Sequence, residues 1–210
     1  MRLPAPLNET SLRRAVKQLA ARDTDMAAIV AQYGPPPLWA RDTGFATLVH
    51  IILEQQVSLA SARAAFYRLR EALGHVEPTG FLSLNDAELK RIGFSRQKTH
   101  YVRLLAEAVR NRDLDLAALD GMHDDGVRAA LTRLKGVGDW TVDCYLLMAL
   151  GRPDVWPVGD LALAVAWQKL QGLPKRPSPA ELATLGERWR PWRAVAARLL
   201  WHHYLSERKK

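Results

Sequence analysis

Apolar positions recur at three- and four-residue spacing along almost the whole chain, and no segment alternates strictly between apolar and polar residues. That period is the mark of amphipathic helices. Leu12, Val16 and Leu19 share one stripe behind a cap at Asn8 or Thr10. The helical pattern continues from Asp25 to Gln32 and stops at Gly34-Pro35-Pro36-Pro37, because proline cannot continue the hydrogen-bond ladder. A helix follows from about Gly44 to Leu53, and Ser58 caps another that reaches Leu73. Pro78 to Leu84 reads as a short helix, and Asn85-Asp86-Ala87-Glu88 as a capping box. Ser95 starts a long basic helix, with Arg96, Lys98, Arg103, Arg110 and Arg112 set around Val102, Leu105 and Val109. Asp124 opens a helix carrying Val127 to Leu134. Gly136-Val137-Gly138 interrupts it, and Asp139 to Leu150 resumes. Asp160 begins a segment running through Leu170. Ser178-Pro179-Ala180-Glu181 is a second capping box, with proline in the first turn. Pro191 opens a last helix to about Leu205, and Arg208-Lys209-Lys210 is expected to fray. The pattern predicts an all-α chain of about eleven or twelve helices with short connections, without strands or a repeat array.

Length and composition narrow the picture. The 210 residues suit one or two small domains with a packed core. No apolar run approaches the roughly 20 residues of a membrane helix, and Met1 to Pro6 lacks the apolar stretch of a signal peptide, so export is not expected. The single cysteine, Cys144, excludes an intrachain disulfide framework, a multi-cysteine zinc site and a cysteine-held iron–sulfur cluster. Thirty Lys and Arg against 22 Asp and Glu give a net charge of +8, which favours a polyanionic partner. Seven tryptophans favour a planar ligand. His50, His75, His100, His123, His202 and His203 show no metal-ligand spacing and read as structural or surface residues.

Several junctions carry candidate chemistry. At Lys135-Gly136-Val137-Gly138 two glycines permit backbone conformations closed to other residues and a close approach to the main chain. The helix starting there directs unpaired N–H groups and its positive dipole end outward, a ready phosphate site, and Arg133 and Lys135 add charge. A plain helix–helix turn is the alternative. Asp160 is either a helix cap or a carboxylate presented for chemistry. Trp140, Cys144 and Leu147 share a helical stripe. Trp201 stands four and seven residues after Ala197 and Ala194, whose small side chains are expected to leave room beside it. Gln55-Gln56 places two amides at a helix junction. Gly93-Phe94-Ser95-Arg96-Gln97-Lys98 sets N–H groups and two cations at another, suited to a phosphate or to a solvated helix start.

Leu134-Lys135-Gly136-Val137-Gly138-Asp139-Trp140-Thr141-Val142-Asp143 resembles the helix-hairpin-helix of base-excision DNA glycosylases. Trp156-Pro157-Val158-Gly159-Asp160-Leu161-Ala162-Leu163 resembles that superfamily's Gly/Pro-rich loop ending in the catalytic aspartate. With Leu53 to Ser58 and Arg188 to Arg193, the chain is similar, from about Gly34 to Trp201, to the DNA-3-methyladenine glycosylase II (AlkA-like) branch of the helix-hairpin-helix-GPD superfamily. The resemblance implies a two-lobed all-α fold with a cleft between lobes. Its parts would be N-terminal helices over 1–38 packing with the C-terminal lobe, a six-helix lobe over 39–154 ending in the hairpin motif, and a C-terminal lobe over 155–210. It also implies a monofunctional glycosylase that flips alkylated purines out of DNA and hydrolyses their N-glycosidic bond in base excision repair. The substrates would be 3-methyladenine and, by extension, 7-methylguanine or other cationic bases.

The same resemblance assigns residues. Asp160 would be catalytic. Trp140 and Trp201 would line the base pocket, with Cys144, Tyr145 and Trp39 as further walls. Bifunctional members carry a lysine nucleophile just after the hairpin glycines, where this chain has Trp140, so no AP-lyase activity is expected. Gln56 would be the wedge that fills the gap left by the flipped base, beside Gln55. Ser95, Arg96, Lys98, Lys135, Gly136, Gly138 and Thr141 would contact DNA. The main-chain carbonyls of Thr132, Leu134 and Val137 would hold a monovalent or other hard cation, and no other cofactor is expected. Double-stranded DNA containing alkylated bases would be the partner of a monomer in the cytoplasm, nucleoid-associated in a bacterium and away from membranes. Cys144 and Gly159 depart from the bacterial AlkA-type member of the branch, which has a tyrosine and a further aspartate at those places. Two other readings stay open. One is a non-catalytic helix-hairpin-helix module that senses damage. The other is a glycosylase for deaminated bases, whose neutral leaving groups depart less readily.

Overall fold

A computed structural model describes residues 3–208. Among them the chain forms twelve α-helices and two 3-10 turns, with no strand. The helices are α1 (Glu9–Arg22), α2 (Thr24–Tyr33), α3 (Phe45–Glu54), α4 (Leu59–Leu73), α5 (Pro78–Ser83) and α6 (Asp86–Ile92). There follow α7 (Arg96–Arg110), α8 (Asp124–Thr132), α9 (Asp139–Met148), α10 (Leu161–Leu170), α11 (Pro179–Gly186) and α12 (Arg193–Glu207). None is long and apolar enough to cross a membrane.

Local chemistry sets most of the boundaries. The boxes at Asn85–Glu88 and Ser178–Glu181 form as expected, each reciprocal between side chain and backbone. Asn8 makes a third with Ser11. Asp23 both ends α1 and caps α2, accepting from the Asp25 and Met26 amides. Some ends differ from expectation, α9 among them, which stops at Met148 rather than Leu150. Helix α8 stops at Thr132 rather than Leu134, and the chain turns through Leu134, whose carbonyl accepts from the Val137 amide. Helix α12 starts at Arg193 rather than Pro191, because Asp154 accepts from the Arg193 amide and guanidinium and anchors the first turn there. Arg208 is the last described residue, and the expected fraying at 209–210 falls outside the described range.

The chain divides into two compact units. One comprises residues 1–40 and 146–210, the other residues 41–145. The second division falls inside α9 rather than after Asp154, because Leu147 already packs with Leu163, Leu199 and Trp201 in the core of the first unit. That core also takes Leu12, Val16 and Leu19 from α1, Met26 and Ile29 from α2, and Trp156, Trp167 and Trp189. The three tryptophans thus serve packing, with centroids of Trp156 and Trp189 5.1 Å apart. Arg198 is fully buried in this unit, and its guanidinium donates to the carbonyls of Leu38, Ala194 and Leu147 at 2.7–3.0 Å. Burial pushes its pKa down to about 10, which leaves it charged at neutral pH. In the second unit α3 is the central helix, with Leu48, Val49, Ile51 and Ile52 buried and α4 and α7 packed on it.

Charge divides unequally between the units. The unit of 41–145 has 14 Lys and Arg against 14 Asp and Glu, whereas the other has 16 against 8. The whole net charge of +8 therefore belongs to the unit of 1–40 and 146–210.

Candidate active site

Asp160 follows a tight turn in which its own amide donates to the Pro157 carbonyl at 3.0 Å. It is the N-cap of α10: Oδ1 accepts from the Leu163 amide at 2.9 Å. The same oxygen accepts from Trp201 Nε1 on α12 at 3.0 Å. Two donors on one oxygen fix the carboxylate in one rotamer. The residue is 7% exposed and lines an open cavity of about 630 Å³ together with Val158, Gly159, Leu161 and the 174–179 loop. Asp160 is therefore a helix cap, and the same residue borders an open cavity.

Trp201 is buried, and Trp39 stands edge-on to it with ring centroids 6.5 Å apart. Trp39 holds an unusual left-handed backbone, φ 49°, next to the Leu38 carbonyl that Arg198 anchors. Ala194 and Ala197 lie on α12 with Trp201. Both are fully buried, and small residues there let α12 lie close against α10 and α2.

The hairpin lies in the other unit. Gly136 has φ 91°, and a Cβ there would sit 2.1 Å from Cγ of Tyr101, so the aromatic ring on α7 occupies the place of a side chain. Gly138 differs: its φ is outside the left-handed region, and a Cβ would meet nothing within 4 Å. Its carbonyl accepts from the Val142 amide, which makes it the residue before the first turn of α9, with no side chain to cap that turn. Arg128 of α8 reaches both Asp139 and Asp143 of α9 and clamps the two helices. Lys135 is exposed and Trp140 half-buried.

Several residues expected to touch DNA serve the protein itself. The Gln55 amide donates to the Gly136 carbonyl and to Thr141 Oγ1, both at 2.9 Å, and Thr141 is buried. These three tie the α3 end to the hairpin. Lys98 donates to the Leu53 carbonyl at 2.6 Å, covering the C-terminal end of α3, and burial lowers its pKa. Ser95 Oγ accepts from the Lys98 amide as the α7 cap. Arg96 is exposed. Gln56 is exposed with φ 56°, a strained conformation for a residue with a side chain, and Val57 and Leu59 beside it are 46% and 54% exposed. Cys144 and Tyr145 are buried. The Tyr145 hydroxyl accepts from the Gly44 amide at 2.9 Å, and burial raises its pKa. Both belong to the buried core. Tyr101, Arg128 and Arg198 were not singled out by spacing, because each acts on a segment remote in sequence.

The chain thus combines an all-helical fold, a glycine hairpin opening a helix, and an aspartate capping a helix after a Gly/Pro turn. The chain belongs to the HhH-GPD superfamily of base excision DNA repair proteins, whose family model matches residues 49–191. It is 26% identical over 199 residues to the DNA-3-methyladenine glycosylase 1 of Schizosaccharomyces pombe, covering 91% of this chain and 87% of that one. A Bacillus subtilis protein named as a DNA-3-methyladenine glycosylase is 25% identical over 186 residues, covering 85% of this chain and 65% of its own length. In structure, the chain is similar to the S. pombe 3-methyladenine DNA glycosylase in complex with abasic DNA, with a TM-score of 0.79 and 25% identity, covering 90% and 95% of the two chains.

Proposed function

We propose that this protein is a monofunctional DNA glycosylase that releases alkylated purines, 3-methyladenine first among them. The observation that carries the reading is the Asp160 carboxylate, fixed by the Trp201 and Leu163 N–H groups at the edge of an open cavity. Breaking the bond from C1′ to an alkylated base builds positive charge on the sugar. A carboxylate beside that carbon stabilises the charge and orients the attacking water. The base leaves with the bonding electron pair, water adds to C1′ as hydroxyl, and its other proton passes to the Asp160 carboxylate and on to solvent. Because 3-methyladenine is already cationic, it departs neutral and needs no general acid, so one carboxylate suffices. Trp201, with Trp39 at its edge, offers an indole beside the carboxylate, and an electron-rich ring favours a cationic base by roughly 0.5–2 kcal/mol. Trp140 is the second indole we assign to the base. Its position also supports hydrolysis without strand cleavage, since no lysine amine stands there to attack the sugar.

DNA would be held where Gly138 leaves the start of α9 uncovered, with Lys135 and Arg96 adding charge and Gln56 as the wedge. A hard cation would be held on the carbonyls of Thr132, Leu134 and Val137. The Leu134 oxygen already accepts from the Val137 amide and keeps a second lone pair for it. Such an ion would add positive charge to the hairpin.

Methylated duplex DNA incubated with wild type and Asp160→Asn tests the reading. Asparagine keeps both hydrogen bonds to Oδ1 and the cap, so the variant should fold normally. Base release should fall about 10²–10³-fold. Equal release by the two proteins, or none by wild type, contradicts the proposal. Borohydride should trap no covalent adduct, and a trapped adduct contradicts the monofunctional part.

A further inference from the structure

The cavity at Asp160 has a second wall that the reaction does not use. It is the loop 174–179, Pro174-Lys175-Arg176-Pro177-Ser178-Pro179. Lys175 and Arg176 are exposed, line the same cavity as Asp160, and form no ion pair among the described residues. Neighbouring arginines of this unit behave otherwise: Arg188 pairs with Asp23, and Arg190 and Arg193 pair with Asp154 and Glu187. Glu181, whose carboxylate feels Lys175, is engaged at the Ser178 amide and hydroxyl.

The loop is also held at both ends. The Leu173 amide donates to the Gln168 carbonyl and its own carbonyl accepts from the Gln168 side chain, while the box at Ser178 starts α11. Two prolines, Pro174 and Pro177, restrict the segment between. The backbone that carries these two cations, neither in an ion pair among the described residues, is thus held before any ligand arrives, so binding need not order the loop itself.

The electrostatics call for such a pair. A carboxylate facing the sugar of a nucleotide repels the phosphodiesters on that sugar's two sides. Cations lining the same cavity offset this repulsion. We propose that Lys175 and Arg176 hold the phosphodiesters flanking the nucleotide whose C1′ faces Asp160. The inference rests on the glycosylase reading, because that reading puts the sugar in this cavity.

The test uses the full chain and a duplex bearing a tetrahydrofuran abasic-site analogue, with and without neutral methylphosphonates at the two flanking linkages. Methylphosphonate substitution should weaken wild-type binding roughly tenfold at low salt, and should weaken Lys175→Ala/Arg176→Ala by less than about twofold, the charges having already gone. The slope of log affinity against log salt should be shallower in the double variant by about 1.8, or 0.9 per phosphate. The wild-type advantage should therefore shrink roughly tenfold between 50 and 200 mM salt. Wild-type indifference to the methylphosphonates overturns the inference without need of any variant. So does an equal penalty in both proteins with parallel salt slopes. Base release from methylated DNA by wild type is measured alongside. Its absence refutes the glycosylase reading, whereas release with no transfer of the penalty refutes only the phosphate contact.

Discussion

Gly136 and Gly138 stand two positions apart and answer different constraints. Gly136 is required by the protein, since its φ is left-handed and Tyr101 fills the space of a Cβ. Gly138 meets neither condition, and what it leaves uncovered is the first turn of α9. Alanine at 136 should therefore destabilise the fold by about 1–3 kcal/mol or more, through backbone strain and displacement of the ring. Alanine at 138 should cost less than about 1 kcal/mol, the difference between glycine and alanine before a helix. It should nevertheless weaken DNA binding at least tenfold, because a methyl group would stand where a phosphate approaches the amides. Urea denaturation and fluorescence anisotropy on a short duplex separate the two effects. A large loss of stability in Gly138→Ala, or unchanged affinity, contradicts this assignment. The glycine pair was legible in the sequence but the split between its members was not, because the side chain that occupies the place beside Gly136 lies on another helix. Asp160 was legible only as an alternative between cap and catalyst. Hydrogen-bond geometry shows the cap, and the cavity bordered by the same residue supports the catalytic reading we propose.

At the scale of elements, short-range signals carried furthest. The boxes at Asn85 and Ser178 and the caps at Ser58 and Ser95 involve residues three apart, so the chain spells them out locally. Contacts that lock one segment to another left no such trace. Lys98 reads as a cation offered to DNA, yet its ammonium covers the end of α3. Arg198 reads as one more charge on a helix, yet it holds three carbonyls from α9, α12 and the segment before Trp39. Two effects compete when Arg198 is replaced by methionine. Removing a buried charge recovers desolvation energy, but it leaves the carbonyls of Leu38 and Leu147 without this donor, at about 1–3 kcal/mol each. Because those oxygens cannot follow the missing guanidinium, the loss should dominate. Arg198→Met should be destabilised by about 3 kcal/mol in urea titration with the m-value unchanged. A variant as stable as wild type would show that the carbonyls find other donors and that Arg198 is not the staple of this unit.

For the whole molecule, the sequence shows a charge of +8 but not its location, because the two units interleave along the chain. The unit with the hairpin is neutral, and the unit with Asp160 carries the entire excess. Two kinds of DNA contact should follow, with different responses to salt. Amides at the start of α9 carry partial charge and displace few counterions, whereas each Lys or Arg on a phosphate releases about 0.9 of one. Affinity of wild type for duplex DNA should fall with salt along a line steeper than about −2 in log–log form, measured by anisotropy from 50 to 400 mM. Gly138→Ala should shift that line downward and keep it parallel, because it removes contacts without removing charge. Neutralising Lys175 and Arg176 should instead rotate the line, converging on wild type as salt rises. If Gly138→Ala rotates the line as much as charge removal does, the hairpin binds by counterion release and the division of labour between a neutral and a basic unit is wrong. A wild-type line without slope would remove phosphate docking altogether.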